Sequence, residues 1–141
     1  MYQDYITSQN EAICHLFLHC CYKDGTFSHD EVDAVSAKFV DLQIHRDLNF
    51  KEELQHYKTY ISNVTDETAY LQHIFKLINA VQDLALYSYC IELCLSDKSL
   101  SAVEESLLEK IAAQLQIATD DKNIIDKLIT QRKAVEIEKI F

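Results

Sequence analysis

The sequence predicts a single all-α domain, and three observations support this fold class. The chain of 141 residues contains no proline and one glycine, Gly25, so it lacks the residues that break helices and form hairpin turns. Its hydrophobic content of 48% is ample for one core. Apolar residues recur at helical spacing, and the strict alternation of a strand never persists. We therefore expect about seven helices in one bundle that spans residues 1–141.

The first helix is predicted over residues 5–22, with Thr7 or Ser8 as its N-cap and Glu11 as the capping-box partner of Ser8. Its apolar stripe consists of Ile13, Leu16, Phe17 and Cys20. One further step of four residues along this stripe reaches Asp24. Gly25 follows, and glycine is the residue that most readily adopts the left-handed conformation at the end of a helix.

Ser28 is predicted to cap the second helix, with Glu31 completing the S-x-x-E capping box, and this helix runs to about Gln43. Its predicted inward residues are Val32, Val35, Phe39 and Leu42. Asn49 and Thr65 are expected to cap the third and fourth helices.

The fifth helix is predicted over residues 83–96, and its stripe leads to Asp97. Ser101 caps the sixth helix, with Glu104 in the box position, and Asp120 is expected to cap the seventh. The inward residues predicted for the seventh helix are Ile124, Ile125, Leu128 and Ile129. The tail ends in Ile137, Ile140 and Phe141, which we expect to dock on the core or on a partner.

An internal repeat relates residues 12–44 to residues 85–117 at an offset of 73 residues. The anchors of this offset are Cys21 with Cys94, Asp24 with Asp97, Ser28 with Ser101, Glu31 with Glu104, Leu42 with Leu115 and Ile44 with Ile117. The pattern predicts one helix–turn–helix unit used twice, with two helices between the copies.

Each copy contains an acidic turn in which an Asp precedes a Glu by seven residues: Asp24 and Glu31 in the first, Asp97 and Glu104 in the second. If the two hairpins meet at their turns, four carboxylates converge, and their repulsion must be relieved by protons or by a hard divalent cation. The competing interpretation is structural, because capping explains a Glu in S-x-x-E and backbone hydrogen bonds explain an Asp at a turn.

The composition and the lack of targeting segments indicate which binding partners and which cellular location to expect. The net charge of −10 repels nucleic acid and anionic membranes and favours cations or basic protein surfaces. No secretory signal and no membrane span is predicted, so we expect a cytoplasmic protein. Five cysteines, an odd number without a C-x-x-C pair, are expected to be reduced and buried.

Other chemistry-bearing residues have simpler interpretations. His15 and His19 share a helix face at a spacing that zinc can use, but no second ligand pair accompanies them, so a solvated face is predicted. No nucleophile motif is present, so we predict no enzyme activity. Most of the tyrosines, which include Tyr57, Tyr60, Tyr70, Tyr87 and Tyr89, are expected at the edge of the core, where the ring is buried and the hydroxyl is a polar end.

The chain resembles the TerB-like family of tellurite-resistance-type helical domains over roughly residues 8–130. Asp24, Gly25 and Glu31 match the first acidic turn of that family, whereas Lys98 stands where the second turn usually has glycine. The resemblance implies a bundle of about seven helices, a role in bacterial stress-associated systems and no established catalytic activity. It also implies metal binding by the four acidic residues Asp24, Glu31, Asp97 and Glu104.

Two hypotheses about function follow. The first is a non-enzymatic TerB-like binding or scaffold domain whose acidic site holds a divalent cation of unknown identity. The alternative is an acidic protein-interaction domain, of the inhibitor or immunity type, that uses no metal. Both hypotheses make other proteins the partners, including a second copy of the chain in a homodimer.

Overall fold

The computed structural model describes residues 1–22, 27–95 and 100–141, and within these residues it is all-helical, without strands. The predicted fold class is therefore confirmed. The described residues form eight α-helices: α1 (Tyr2–Tyr5), α2 (Gln9–Cys21), α3 (His29–Asp41), α4 (Phe50–Tyr60), α5 (Glu67–Leu77), α6 (Asp83–Cys94), α7 (Ala102–Leu115) and α8 (Thr119–Glu138). Short 3₁₀ turns follow α3 at Ile44–Arg46 and α4 at Ile61–Asn63.

Two compact units divide the chain, Met1–Asn79 with α1 to α5 and Ala80–Phe141 with α6 to α8. That these two units form one domain stays a prediction. No helix in the described part of the chain is long and apolar enough to cross a membrane.

Helix α2 is the central element of the first unit and packs against α3, α4 and α5. Its buried side chains surround the helix and do not form a single stripe; they are Ala12, Cys14, His15, Leu16, Phe17, Leu18, Cys20 and Cys21. A helix that is buried on nearly all sides must pair its polar side chains with its neighbours, because water cannot reach them.

Helix α6 has the same central position in the second unit, where it packs against α7 and α8. The core of this unit contains Leu86, Tyr87, Cys90, Ile91, Leu93, Cys94, Leu95, Leu107, Leu108, Ile111, Ala112 and Ile129. The five cysteines of the chain are buried free thiols, as predicted.

Most of the predicted helix starts are confirmed. The side chains of Ser8, Ser28, Asn49 and Ser101 each accept a hydrogen bond from the backbone N–H three residues later. Two predictions were wrong. Asp66, and not Thr65, caps α5, because its Oδ1 accepts from Ala69 N at 3.0 Å. Helix α8 begins at Thr119, which places Asp120 inside its first turn. There its negative charge interacts favourably with the positive end of the helix dipole.

Several predicted boundaries and faces also need correction. The predicted first helix, residues 5–22, begins too early: α2 starts at Gln9, Tyr5 belongs to the separate short helix α1, and Ile6 between them is extended. Leu42, Ile124 and Leu128 were predicted to face inward, but they are 37%, 65% and 53% exposed. In α8 the residue that fills the core is Ile129.

The ends of α3 and α7 share an unusual backbone feature. Gln43 and Gln116 both have left-handed conformations, with φ of 61° and 56°. These residues are 73 positions apart, the offset of the sequence repeat. The two copies thus end alike in backbone conformation as well as in sequence.

Candidate functional site

Both acidic turns lead into helices with the same capping box. Ser28 Oγ accepts from Glu31 N at 3.1 Å, and Glu31 Oε1 accepts from Ser28 N at 2.9 Å. In the second copy, Ser101 Oγ accepts from Glu104 N at 3.2 Å, and Glu104 Oε1 accepts from Ser101 N at 2.9 Å. The capping box that the sequence predicted at the start of each of these two helices is therefore present.

The two glutamates differ in their surroundings. Glu104 is only 6% exposed, whereas Glu31 is half-buried. Their predicted partners, Asp24 and Asp97, lie outside the described residues. Convergence of the four carboxylates on one ion stays a prediction. Within the described residues, no group of three or more His, Cys, Asp or Glu side chains is arranged to hold a metal ion.

The prediction that His15 and His19 lie on a solvated face was wrong. His15 is fully buried, with Nε2 at 2.8 Å from Glu53 Oε1 and Nδ1 at 2.6 Å from the Tyr60 hydroxyl. A carboxylate only accepts hydrogen bonds, so Nε2 carries the hydrogen and, in the neutral ring, Nδ1 accepts from Tyr60. The Tyr60 hydroxyl in turn lies 2.5 Å from the Tyr70 hydroxyl. We call Glu53, His15, Tyr60 and Tyr70 the His15 relay.

His19 repeats this arrangement one helical turn later. Its Nδ1 lies 2.7 Å from the Tyr57 hydroxyl, and its Nε2 lies 2.8 Å from Glu67 Oε2. The ring of His19 is 10% exposed, so this second set is also largely removed from water. The two histidines thus link α2 to α4 through Tyr57 and Tyr60, and to α5 through Glu67.

Aromatic rings surround these hydrogen bonds. Tyr57 and Tyr70 are fully buried and Tyr60 is 2% exposed, so they lie deeper than the core edge that the sequence predicted. Burial raises the pKa of all three hydroxyl groups well above the usual tyrosine value, because the phenolate would lose its hydration. The three hydroxyls therefore remain protonated hydrogen-bonding groups.

The arrangement of carboxylate, imidazole and hydroxyl has the order of a catalytic triad, but its environment differs from that of an active site. The hydroxyls of the His15 relay are buried and hydrogen-bonded to one another. The nearby Cys14 is not an activated thiol either, since burial and then the charges of Glu53 and Glu11 raise its pKa. The relay therefore fits a structural role.

A groove of about 500 Å³ lies between α7 and α8 in the second unit. Its walls include Glu105 and Glu109 from α7 and Lys122, Asp126 and Lys127 from α8. Asp126 accepts from the Tyr87 hydroxyl at 2.7 Å and from Lys122 Nζ at 2.8 Å. These contacts fix one wall of the groove, and charges of both signs line it.

The comparison with known protein families agrees with the fold. The family model described as tellurite resistance protein TerB matches residues 10–127, more than four fifths of the chain. No curated protein and no solved structure matches the chain.

Proposed function

The chain belongs to the tellurite resistance protein TerB family, and on this basis we propose that it is a non-enzymatic binding domain of a bacterial stress-associated system. In this proposal the two acidic turns hold a divalent cation. Asp24 and Asp97 supply carboxylate ligands, and Glu31 and Glu104 serve as ligands or hold the turns in place. The partners are other proteins, and the reduced state of the five buried thiols favours a cytoplasmic location.

The observation that carries the proposal is the identical capping box at the two acidic turns. A helix N-terminus carries partial positive charge and disfavours a cation. In each copy, the Glu carboxylate lies at this end and offsets that charge. Each cap also fixes where its helix begins, at a constant distance along the chain from the preceding Asp. These features support an oxygen-rich site for a hard cation such as calcium, magnesium or manganese.

Thermal melting in the presence of divalent cations tests the proposal. We expect calcium, magnesium, manganese or zinc to raise the melting temperature, because an ion that binds only the folded state stabilises it by mass action. At an ion concentration of about 100 Kd the increase should be on the order of 10 °C. The double variant Asp24→Asn with Asp97→Asn should lose this increase.

The matched control is Asp33→Asn with Asp121→Asn, which removes the same charge from exposed positions in α3 and α8. It should keep the ion response of the wild type. If the control loses the response as well, the ions act through general charge screening, and the site assignment is wrong.

The alternative function is an acidic protein-interaction domain of the inhibitor or immunity type, without a metal. The exposed apolar residues at the end of the chain favour it: Ile137, Ile140 and Phe141 are 45%, 72% and 110% exposed. Such a surface suits another protein or a second copy of this chain. This alternative predicts that none of the four ions changes the melting temperature of the wild type.

A further inference from the structure

The relation between the two units extends to a third helix. At the offset of 73 residues, α2 falls on α6, α3 on α7, and α4 within α8. In each unit the third helix packs on the central helix and offers it a carboxylate. Glu53 Oε1 accepts from His15 of α2 at 2.8 Å, and Asp126 Oδ1 accepts from Tyr87 of α6 at 2.7 Å. The same offset relates Glu53 to Asp126, so the two units can be compared position by position.

The groove between α7 and α8 lies where aromatic rings join the corresponding helices of the first unit. Phe27, just before α3, packs edge-to-face on Tyr57 of α4, with ring centroids 5.9 Å apart. Phe39 of α3 packs in the same way on Phe50 of α4, at 5.4 Å. The equivalent pairs in the second unit are Leu100 with Thr130 and Ala112 with Asn123. Four rings are thus replaced by smaller side chains, and a groove of about 500 Å³ lies between the helices.

Two further positions in the groove change from apolar to charged. Val32 of α3 corresponds to Glu105 of α7, and Leu54 of α4 corresponds to Lys127 of α8. Glu109 lies one helical turn after Glu105 on the same wall. In the part of the chain that the structure describes, the side chains of Glu105, Glu109 and Lys127 form no hydrogen bond or ion pair. Two carboxylates four residues apart on a helix repel each other, so this wall favours a cationic occupant.

The size and the polar lining of the groove fit a short extended peptide. The lining residues of α8 run from Lys122 to Gln131, which is about 14 Å along the helix and matches about four extended residues. Asn123, Thr130 and Gln131 present amide and hydroxyl groups, which donate to and accept from a peptide backbone. The ammonium of Lys122 is already paired with Asp126 at 2.8 Å, so it adds little attraction for an anion.

We propose that this groove binds a short extended segment of a partner protein that carries a basic side chain. The basic side chain pairs with Glu105 and Glu109, and arginine suits this wall best, because its guanidinium binds a carboxylate through two parallel hydrogen bonds. Asn123, Thr130 and Gln131 bind the backbone of the segment. The net charge of −10 attracts such a segment. The site goes beyond the proposed cation site, because it uses neither of the acidic turns' paired carboxylates and needs no divalent ion.

NMR titration with a blocked tetrapeptide, acetyl-Ala-Arg-Ala-Arg-amide, tests the proposal. The buffer contains EDTA, so failure of the cation site does not affect the result. We expect the amide signals of residues 105–109 and 122–131 to shift, with a dissociation constant on the order of 1 mM. The acidic peptide acetyl-Ala-Glu-Ala-Glu-amide should cause no such shifts. Equal effects of the two peptides, or shifts that occur mainly elsewhere, would overturn the proposal.

Two variants test the groove itself. Thr130→Tyr introduces the ring that the first unit has at this position, and should abolish the shifts while the circular dichroism spectrum stays helical. Glu105→Gln with Glu109→Gln keeps the shape of the groove and should weaken peptide binding about tenfold, since it removes charge-assisted hydrogen bonds.

The matched control is Asp33→Asn with Glu52→Gln, which removes the same charge from exposed positions in α3 and α4. It should bind the peptide like the wild type. An equal loss of affinity in this control would show that only the overall charge attracts the peptide, and would overturn the site. Sedimentation of the wild type at rising concentration identifies a second copy as the occupant instead. A dimer that Glu105→Gln with Glu109→Gln dissociates would also overturn the proposal.

Discussion

His15→Leu should lower the free energy of unfolding by about 3–5 kcal/mol. Leucine fills much of the same space, so lost packing is a small part of this loss. The main cost is that the Glu53 carboxylate and the Tyr60 hydroxyl stay buried without the imidazole that bonds to both. Urea denaturation followed by circular dichroism measures the change.

Two further variants show whether the lost hydrogen bonds cause the effect. His45→Leu, the same substitution at an exposed histidine, should change the unfolding free energy by less than about 0.5 kcal/mol. Combining His15→Leu with Glu53→Leu, Tyr60→Phe and Tyr70→Phe removes the whole series of groups left unpaired, and should recover much of the loss. A loss below about 1 kcal/mol for His15→Leu alone would contradict a structural role for the relay.

Alkaline pH should unfold the first unit cooperatively. Burial raises the pKa of Tyr57, Tyr60 and Tyr70, so the folded state keeps protons that the unfolded chain loses above about pH 10. The contribution of these three tyrosines to the free energy of unfolding is therefore fully present below pH 10 and decreases above it. Their ionisation in the unfolded chain should lower the free energy of unfolding by about 4 kcal/mol at about pH 11.

Absorbance of the tyrosinate and far-ultraviolet circular dichroism, recorded in the same titration, check this expectation. The buried tyrosines should ionise together with the loss of helix. Tyr70→Phe removes one of the three groups and should make stability decrease less steeply above pH 10, although the variant also loses one hydrogen bond. Ionisation of all eight tyrosines while the helices stay intact would contradict the burial of this cluster.

Features that depend on residues close together in the sequence could be predicted. The capping boxes at Ser28 and Ser101 depend on residues three positions apart, and both formed as expected. The error at Thr65 was of the same local kind, since the adjacent Asp66 is also a strong cap. The all-helical class followed from the lack of proline and the single glycine.

The burial of His15 and His19 was missed because their partners are distant in sequence. Glu53 and Tyr60 follow His15 by 38 and 45 residues, and Glu67 follows His19 by 48. A usable signal was present in α2, where apolar residues occupy nearly every side and leave no polar face for the histidines. The spacing of Glu53, Tyr57 and Tyr60 on one face of α4 supplied the matching partners.

The acidic site depends on geometry that a linear pattern does not supply. The sequence relates Asp24 to Asp97 and Glu31 to Glu104 by a common offset, but the distance between the two copies depends on tertiary packing. The caps at Glu31 and Glu104 account for one oxygen of each carboxylate. The proposed cation site is therefore best tested by a measurement that reports directly where in the chain the ion binds.

Paramagnetic line broadening by manganese provides that measurement. Mn²⁺ is added in small amounts to the isotopically labelled protein, and the loss of each amide signal is followed by NMR. The acidic-site proposal predicts that signals from residues 23–32 and 96–105 disappear first, and that Asp24→Asn with Asp97→Asn prevents this loss. Broadening that begins elsewhere, for example at the exposed Asp120 and Asp121 of α8, or that is unchanged in the double variant, would contradict it.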